Sequence, residues 1–317
     1  MLELPFNSKL KNSKKILIAG AGGGFDVFTG LPLYFGLKSE GREVHLANLS
    51  FSFLPPDDKA RLSLSMLTVN ADTKKYTPYF PEKFLSQWFK EEMGEDISIY
   101  CFERSGVKPL LAGYKTLVAE LGLDTIILVD GGTDSLMRGD EDRLGTPKED
   151  ASSITAVSLL EIETKVLACL GFGADHFHGV SNYFSLEAIA ELTKAGGFLG
   201  MISLQEEMPE VKKYHQAAEY VFRCMPEYSS IVSGSVLSAL AGNYGDYHST
   251  TRTKWNELWI NPLMAVYFCF NLKEVAERIL YLDALKETET FEDVENVISE
   301  FRQKNFSIIR KRGSIPD

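Results

Sequence analysis

The sequence predicts an α/β fold built on a mainly parallel, doubly wound sheet with helices on both faces. Three observations carry that reading. Apolar, β-rich runs alternate with helical stretches along most of the 317 residues. The first such run, Lys14 to Gly20, stops on a turn rich in glycine, where open doubly wound sheets place a ligand-binding loop. A later run, Asp124 to Asp130, stops as abruptly on DGGTD. A closed barrel is the competing architecture, and the glycine turn after the first strand decides for the open, Rossmann-like sheet.

The elements follow in order. KKILIAG reads as a fully buried strand. VFTGLPLYFGLKSEG reads as a helix irregular in its first half, because Pro32 does not fit a helix interior. EVHLANLSF is a second strand, followed by a polar stretch through Phe80 with two prolines at its head, to which no element is assigned. PEKFLSQWFKEEMG has helical spacing of Phe84, Trp88 and Phe89, ISIYCFE is a third strand, and Pro109 to Gly122 is a helix. After the strand DTIILVD and its loop, DASSITAVSLLEIE is helical, with Asp150 and Ser152 as candidate caps, and KVLACLGFG is another strand. Phe184 to Ala195 is a helix, FLGMISL a strand, and Glu206 to Cys224 a helix entered near Pro209. SSIVSGSVLSAL reads as a further strand; Asn271 with Glu274 suggests a capping box, and Thr290 caps a last helix through Phe301. No linker or repeat divides the chain, so residues 1–317 are expected to form one α/β domain.

Composition narrows the function classes. With 44% hydrophobic and 24% charged residues the chain is an ordinary globular protein. No run reaches the ~20 apolar residues of a membrane helix, the longest being Leu258 to Leu272, broken by Asn261 and Pro262. The lysine-bearing N-terminus lacks an apolar signal region, so a cytoplasmic protein is expected. Cys101, Cys169, Cys224 and Cys269 are far apart, which fits free thiols and not a metal motif or disulfide framework. A net charge of −11 speaks against nucleic acid or an anionic membrane as partner. Monomer and homo-oligomer both stay open.

Two segments carry the chemistry. In GAGGGFD, Gly22, Gly23 and Gly24 free the backbone to approach an anion at a helix start, and Asp26 adds a carboxylate suited to a sugar hydroxyl, an amine or a divalent cation. The dinucleotide fingerprint is incomplete: Phe25 stands at the third glycine position, and the second strand ends on Asn48 and Ser50 where a ribose-binding acid belongs. In the loop from Asp130 to Ser153, Asp130, Gly131, Gly132, Thr133 and Asp134 stand at a strand terminus, and Asp130 and Asp134 are candidate metal ligands. Asp140 to Arg143 reads as a solvated charged turn. GGGFDV taken together with DGGTDSLMRGDE and GTPxED resembles a family of uncharacterised microbial proteins known only as a domain of unknown function, DUF1152, over nearly the whole chain. The resemblance implies that the two motifs belong together as walls of one site.

Histidines supply the remaining candidates. GFGADHFHG follows a strand and holds Asp175, His176 and His178 in a glycine-flanked loop, a ligand-edge position where the i, i+2 histidines share a face only if extended and then serve as acid and base or as metal ligands. His248, near Asp246 and Arg252, is read first as a satisfied loop histidine. No GxSxG elbow and no cysteine in an electropositive loop supports covalent hydrolysis. The sequence thus points to an enzyme performing hydrolysis or group transfer on a small phosphorylated or ribosyl-containing metabolite. The glycine turn holds the anionic end, Asp130 or Asp134 acts as base or metal ligand, His176 or His178 as acid, and a divalent cation such as magnesium is the expected cofactor. A non-catalytic nucleotide sensor is the first rival. A nicotinamide-dependent oxidoreductase is the second.

Overall fold

The computed structural model describes residues 2–56, 58–75 and 77–313. Its strands are β1 (Lys15–Gly20), β2 (Glu43–Leu49), β3 (Arg61–Ser63), β4 (Met66–Val69), β5 (Ile99–Phe102), β6 (Thr125–Gly131), β7 (Thr164–Leu170), β8 (Phe198–Ser203), β9 (Gly245–Asp246), β10 (Trp259–Ile260) and β11 (Val266–Asn271). Its α-helices are α1 (Pro5–Lys9), α2 (Asp26–Thr29), α3 (Leu31–Ser39), α4 (Pro81–Trp88), α5 (Val107–Leu121), α6 (Pro147–Ser158), α7 (Asn182–Lys194), α8 (Pro209–Cys224), α9 (Ile231–Leu240), α10 (Leu272–Arg278), α11 (Leu282–Leu285) and α12 (Phe291–Lys304). Among the described residues no helix is long and apolar enough to cross a membrane.

Nine strands form one sheet in the order β3-β4-β5-β2-β1-β6-β7-β11-β8. The central five, β5 to β7 in that order, are all mutually parallel. Their side chains alternate between two cores, as burial on both faces requires. Leu17 and Leu128 pack with α5, α6 and α7 on one face, while Ile18, Ile127 and Val129 pack with α3, α4 and α8 on the other. The chain moves outward from β1 through β2 to β5, then returns to place β6 on the other side of β1. That reversal leaves a crevice at the carboxyl ends of β1 and β6, where doubly wound sheets bind ligands.

Several expectations are corrected at the edges. The polar stretch before Phe80 contains the β3–β4 hairpin, antiparallel to β5. At the other edge β8 is a strand as expected, but its neighbour β11, drawn from the run read only as apolar, is antiparallel to both β7 and β8. SSIVSGSVLSAL is not a strand; it forms α9. Ser230 Oγ accepts from the Ser233 N–H at its start, and the Ser235 and Ser238 hydroxyls donate to carbonyls four residues back, so these two hydroxyls are satisfied inside the helix. Asn271 makes no side-chain cap to α10, whereas Thr290 and Asp293 do form a capping box on α12. The irregular helix at Pro32 resolves into α2 and α3, divided at Gly30, with Pro32 in the first turn of α3.

Candidate functional site

Five carboxylates meet at that crevice, each delivered by a different local feature. Asp26 opens α2 immediately after the glycine turn, and Asp130 is the penultimate residue of β6. Asp134 starts a 3-10 turn, Asp150 lies one turn into α6, and Asp175 sits in the turn after β7. Together with Gly22, Gly23, Gly24 and Gly131 they line one cleft of about 340 Å³, so both motifs read from the sequence are walls of one site. Asp130, Asp134, Asp150 and Asp175 are each at most 5% exposed.

Four of the five carboxylates are held by hydrogen bonds. Asp26 accepts from the Gly22 N–H at 2.6 Å and the Gly131 N–H at 3.3 Å. Asp130 accepts from the Ser135 hydroxyl. Asp134 accepts from both the N–H and hydroxyl of Thr146, at 2.8 and 2.9 Å. Asp175 accepts from the N–H groups of Thr133 and Asp134, at 2.6 and 3.2 Å. Asp150 differs: it is 1% exposed, and neither carboxylate oxygen has a hydrogen-bond partner. One oxygen from each of Asp26, Asp130 and Asp150 lies within 4.8 Å of the other two.

Charge is therefore concentrated where water is scarce. Burial, followed by repulsion from Asp134, pushes Asp130 up to about 7. Burial first, then the neighbouring carboxylates, likewise holds Asp26, Asp150 and Asp175 well above the usual carboxylate range. Burial raises Asp134 as well, against the hydrogen bonds from Thr146 and the charge of His178. Asp26, Asp130 and Asp150 are thus a donor set that could hold a cation, which would relieve the repulsion and give Asp150 a partner. Calcium–oxygen distances of 2.3–2.6 Å put opposed ligand oxygens at most about 5 Å apart, so separations within 4.8 Å are compatible with one shared cation.

The glycine turn works differently from the expected cradle of amides. The Gly22 N–H is taken by Asp26, and the Gly24 N–H by the Leu49 carbonyl at 3.2 Å. Its glycines instead permit close approach. A Cβ at Gly22 would lie 2.8 Å from Asp150 Oδ1, and one at Gly23, whose φ is +90°, would lie 2.5 Å from the Phe51 ring. Asn48, at the end of β2, ties the turn down by donating to the Gly24 carbonyl and to the buried Glu82, each at 2.8 Å.

The remaining candidates divide. Gly132 and Thr133 do not line the cleft; the Thr133 N–H holds Asp175, and a Cβ at Gly132 would collide with that carboxylate at 2.0 Å. His178 lines the cleft and His176 does not; the 3-10 turn Ala174–His178 is not extended, so the two do not share a face. His248 is satisfied by Asp246 at 3.1 Å and Thr253 at 2.9 Å, while Arg252 lines the cleft. Asp150 and Ser152 cap nothing, because α6 already begins at Pro147. The turn Asp140 to Arg143 is not solvated at its acidic end: Asp140 and Glu141 are buried, Asp140 paired with Arg138 and Arg310 at 2.9 Å each.

Asp175, read from the sequence beside His176 and His178 at a ligand edge, and Arg252, weighed only as a secondary anion contact, both line the cleft, whereas sequence reasoning missed Asp150, Phe51, Tyr79, Tyr228 and Ser230 as cleft residues. Only Asp150 carried a usable signal, since a proline at 147 marks the first turn of a helix and moves position 150 inside it. Residues 17–305 match a family described as a protein of unknown function, DUF1152, and the chain belongs to it. No curated protein and no solved structure matches the chain.

Proposed function

We propose that this member of a family without an assigned activity is an enzyme that hydrolyses, or transfers a group from, a small phosphorylated or ribosyl-containing metabolite with the help of a divalent cation. The observation that carries the reading is Asp150, a buried carboxylate with no partner, aimed into a cluster whose other members are Asp26 and Asp130. An anionic substrate is repelled by five bare carboxylates, and a divalent cation on Asp26, Asp130 and Asp150 offsets part of that repulsion and offers the anion a direct partner. When bound, the cation polarises the reacting oxygen and stabilises charge that develops on it.

The chain's own residues do the rest. Asp134, with one oxygen committed to Thr146, keeps the other to accept a proton from an attacking hydroxyl or water. His178, on the exposed side of the cleft, donates a proton to the leaving group. Ribosyl hydroxyls find acceptors in the carboxylate floor. With the amides of the glycine turn partly consumed internally, Arg252 at the rim takes the anionic end.

The test is turnover of a panel of sugar phosphates and nucleotides, followed by phosphate release and chromatography, with magnesium, manganese or calcium and with chelator. Turnover that requires the cation and disappears in Asp130→Asn is expected. Turnover unaffected by chelator or by that substitution contradicts the reading, and binding without any turnover leaves a sensor in place of an enzyme.

A further inference from the structure

We infer that the ligand of this cleft carries a planar heterocycle of the nucleoside type, stacked on Phe51 and Tyr228; the inference rests on the proposed function, and narrows its substrate class. The cleft has two unlike halves. Its floor is the carboxylate cluster, and its rim is aromatic, formed by Phe51, Tyr79 and Tyr228.

Phe51 and Tyr228 are unusual for large aromatic rings in a buried site, being 40% and 36% exposed. Both are nevertheless held in place. Phe51 follows β2 directly between two pinned serines, since the Ser50 N–H donates to the Phe102 carbonyl at 2.8 Å and the Ser50 hydroxyl accepts from the Ser52 N–H at 3.1 Å. Its ring lies so close to Gly23 that a side chain there has no room, and the Arg104 guanidinium stacks 5.2 Å from its centroid. The Tyr228 ring meets Tyr79 edge-on at 5.6 Å. An ordered but exposed ring next to a polar floor leaves apolar surface in water, and a ring-bearing ligand removes it. A bare sugar phosphate presents hydroxyls and charge, and has no face for these rings. A nucleoside presents both: ribose hydroxyls for the carboxylates and a π-face for the aromatic rim.

The test compares adenosine and uridine 5′-monophosphates with ribose 5-phosphate by calorimetric titration, in manganese and again in chelator, for the wild-type chain and Phe51→Ala. The nucleotides are expected to bind about tenfold or more tightly than ribose 5-phosphate, and Phe51→Ala to remove that preference, as loss of one base–aromatic stack implies. Tyr228→Ala, with a melting curve for each variant, serves if Phe51→Ala fails to fold. Equal affinities, a preference untouched by either variant, or no binding of any probe overturns the inference. A ring preference that persists identically in chelator would sink the cation while leaving the stacked ring standing.

Discussion

Asp150 and Asp134 sit in the same cleft, yet replacing them has opposite consequences. Asp150→Asn removes a repelling charge and breaks no hydrogen bond, so the melting temperature in metal-free buffer is expected to rise by a few degrees, and the rise that the proposed cation would produce is expected to be lost. Asp134→Ala strips two hydrogen bonds from the start of α6, and costs about 1–2 kcal/mol by denaturant unfolding. Should Asp150→Asn destabilise the metal-free protein, its carboxylate is structural and the cation site loses its main support. At this scale the sequence was legible where chemistry and conformation coincide. Asp26, Asp130 and Asp134 stand beside glycines at strand ends and declare themselves. Asp175 does so too, in the glycine-flanked loop after β7, whereas Phe51 and Tyr228 reach the cleft through contacts between segments far apart in the chain, which no local pattern reports.

Among the elements, α12 offers a control, since none of its residues lines the cleft. Its Thr290 hydroxyl accepts from the Asp293 N–H at 3.1 Å while the Asp293 carboxylate accepts from the Thr290 N–H at 2.8 Å. Thr290→Ala is therefore expected to cost about 1 kcal/mol of stability and to leave the cation-induced rise in melting temperature unchanged. A changed cation response would show that α12 positions the site. Element types were read correctly wherever a single period dominated: β1 and β6, each continuous and apolar, and α8 with its one-sided apolar face. They were misread where composition and context disagree. Isoleucine and valine in α9 carry strand preference, but Ser235 and Ser238 close hydrogen bonds along the helix, and the short β3–β4 hairpin joins the sheet through pairing of β4 with β5.

For the whole molecule, the buried carboxylates govern how stability depends on pH. Their pKa values lie above those of the unfolded chain, so the folded state holds protons that the unfolded state has already released, and stability falls as pH rises through about 7, the value of Asp130. Between pH 5 and 8 the metal-free protein is expected to melt progressively lower, by several degrees in total, and saturating manganese or calcium to flatten that slope. A melting temperature that climbs over the same range contradicts a cluster of this kind. The doubly wound order around β1 was predictable because the glycine turn marks where the chain reverses; the antiparallel edges were not, since nothing within β8 or β11 states the direction of its neighbour. The central claim is that Asp26, Asp130 and Asp150 form one cation site at this reversal. Calorimetric titration of manganese into the metal-free protein at pH 7.5 tests it most directly: one ion per chain, with binding lost in Asp150→Asn while the fold persists, is the predicted result, and an Asp150→Asn protein that binds manganese as tightly as the wild type would contradict it.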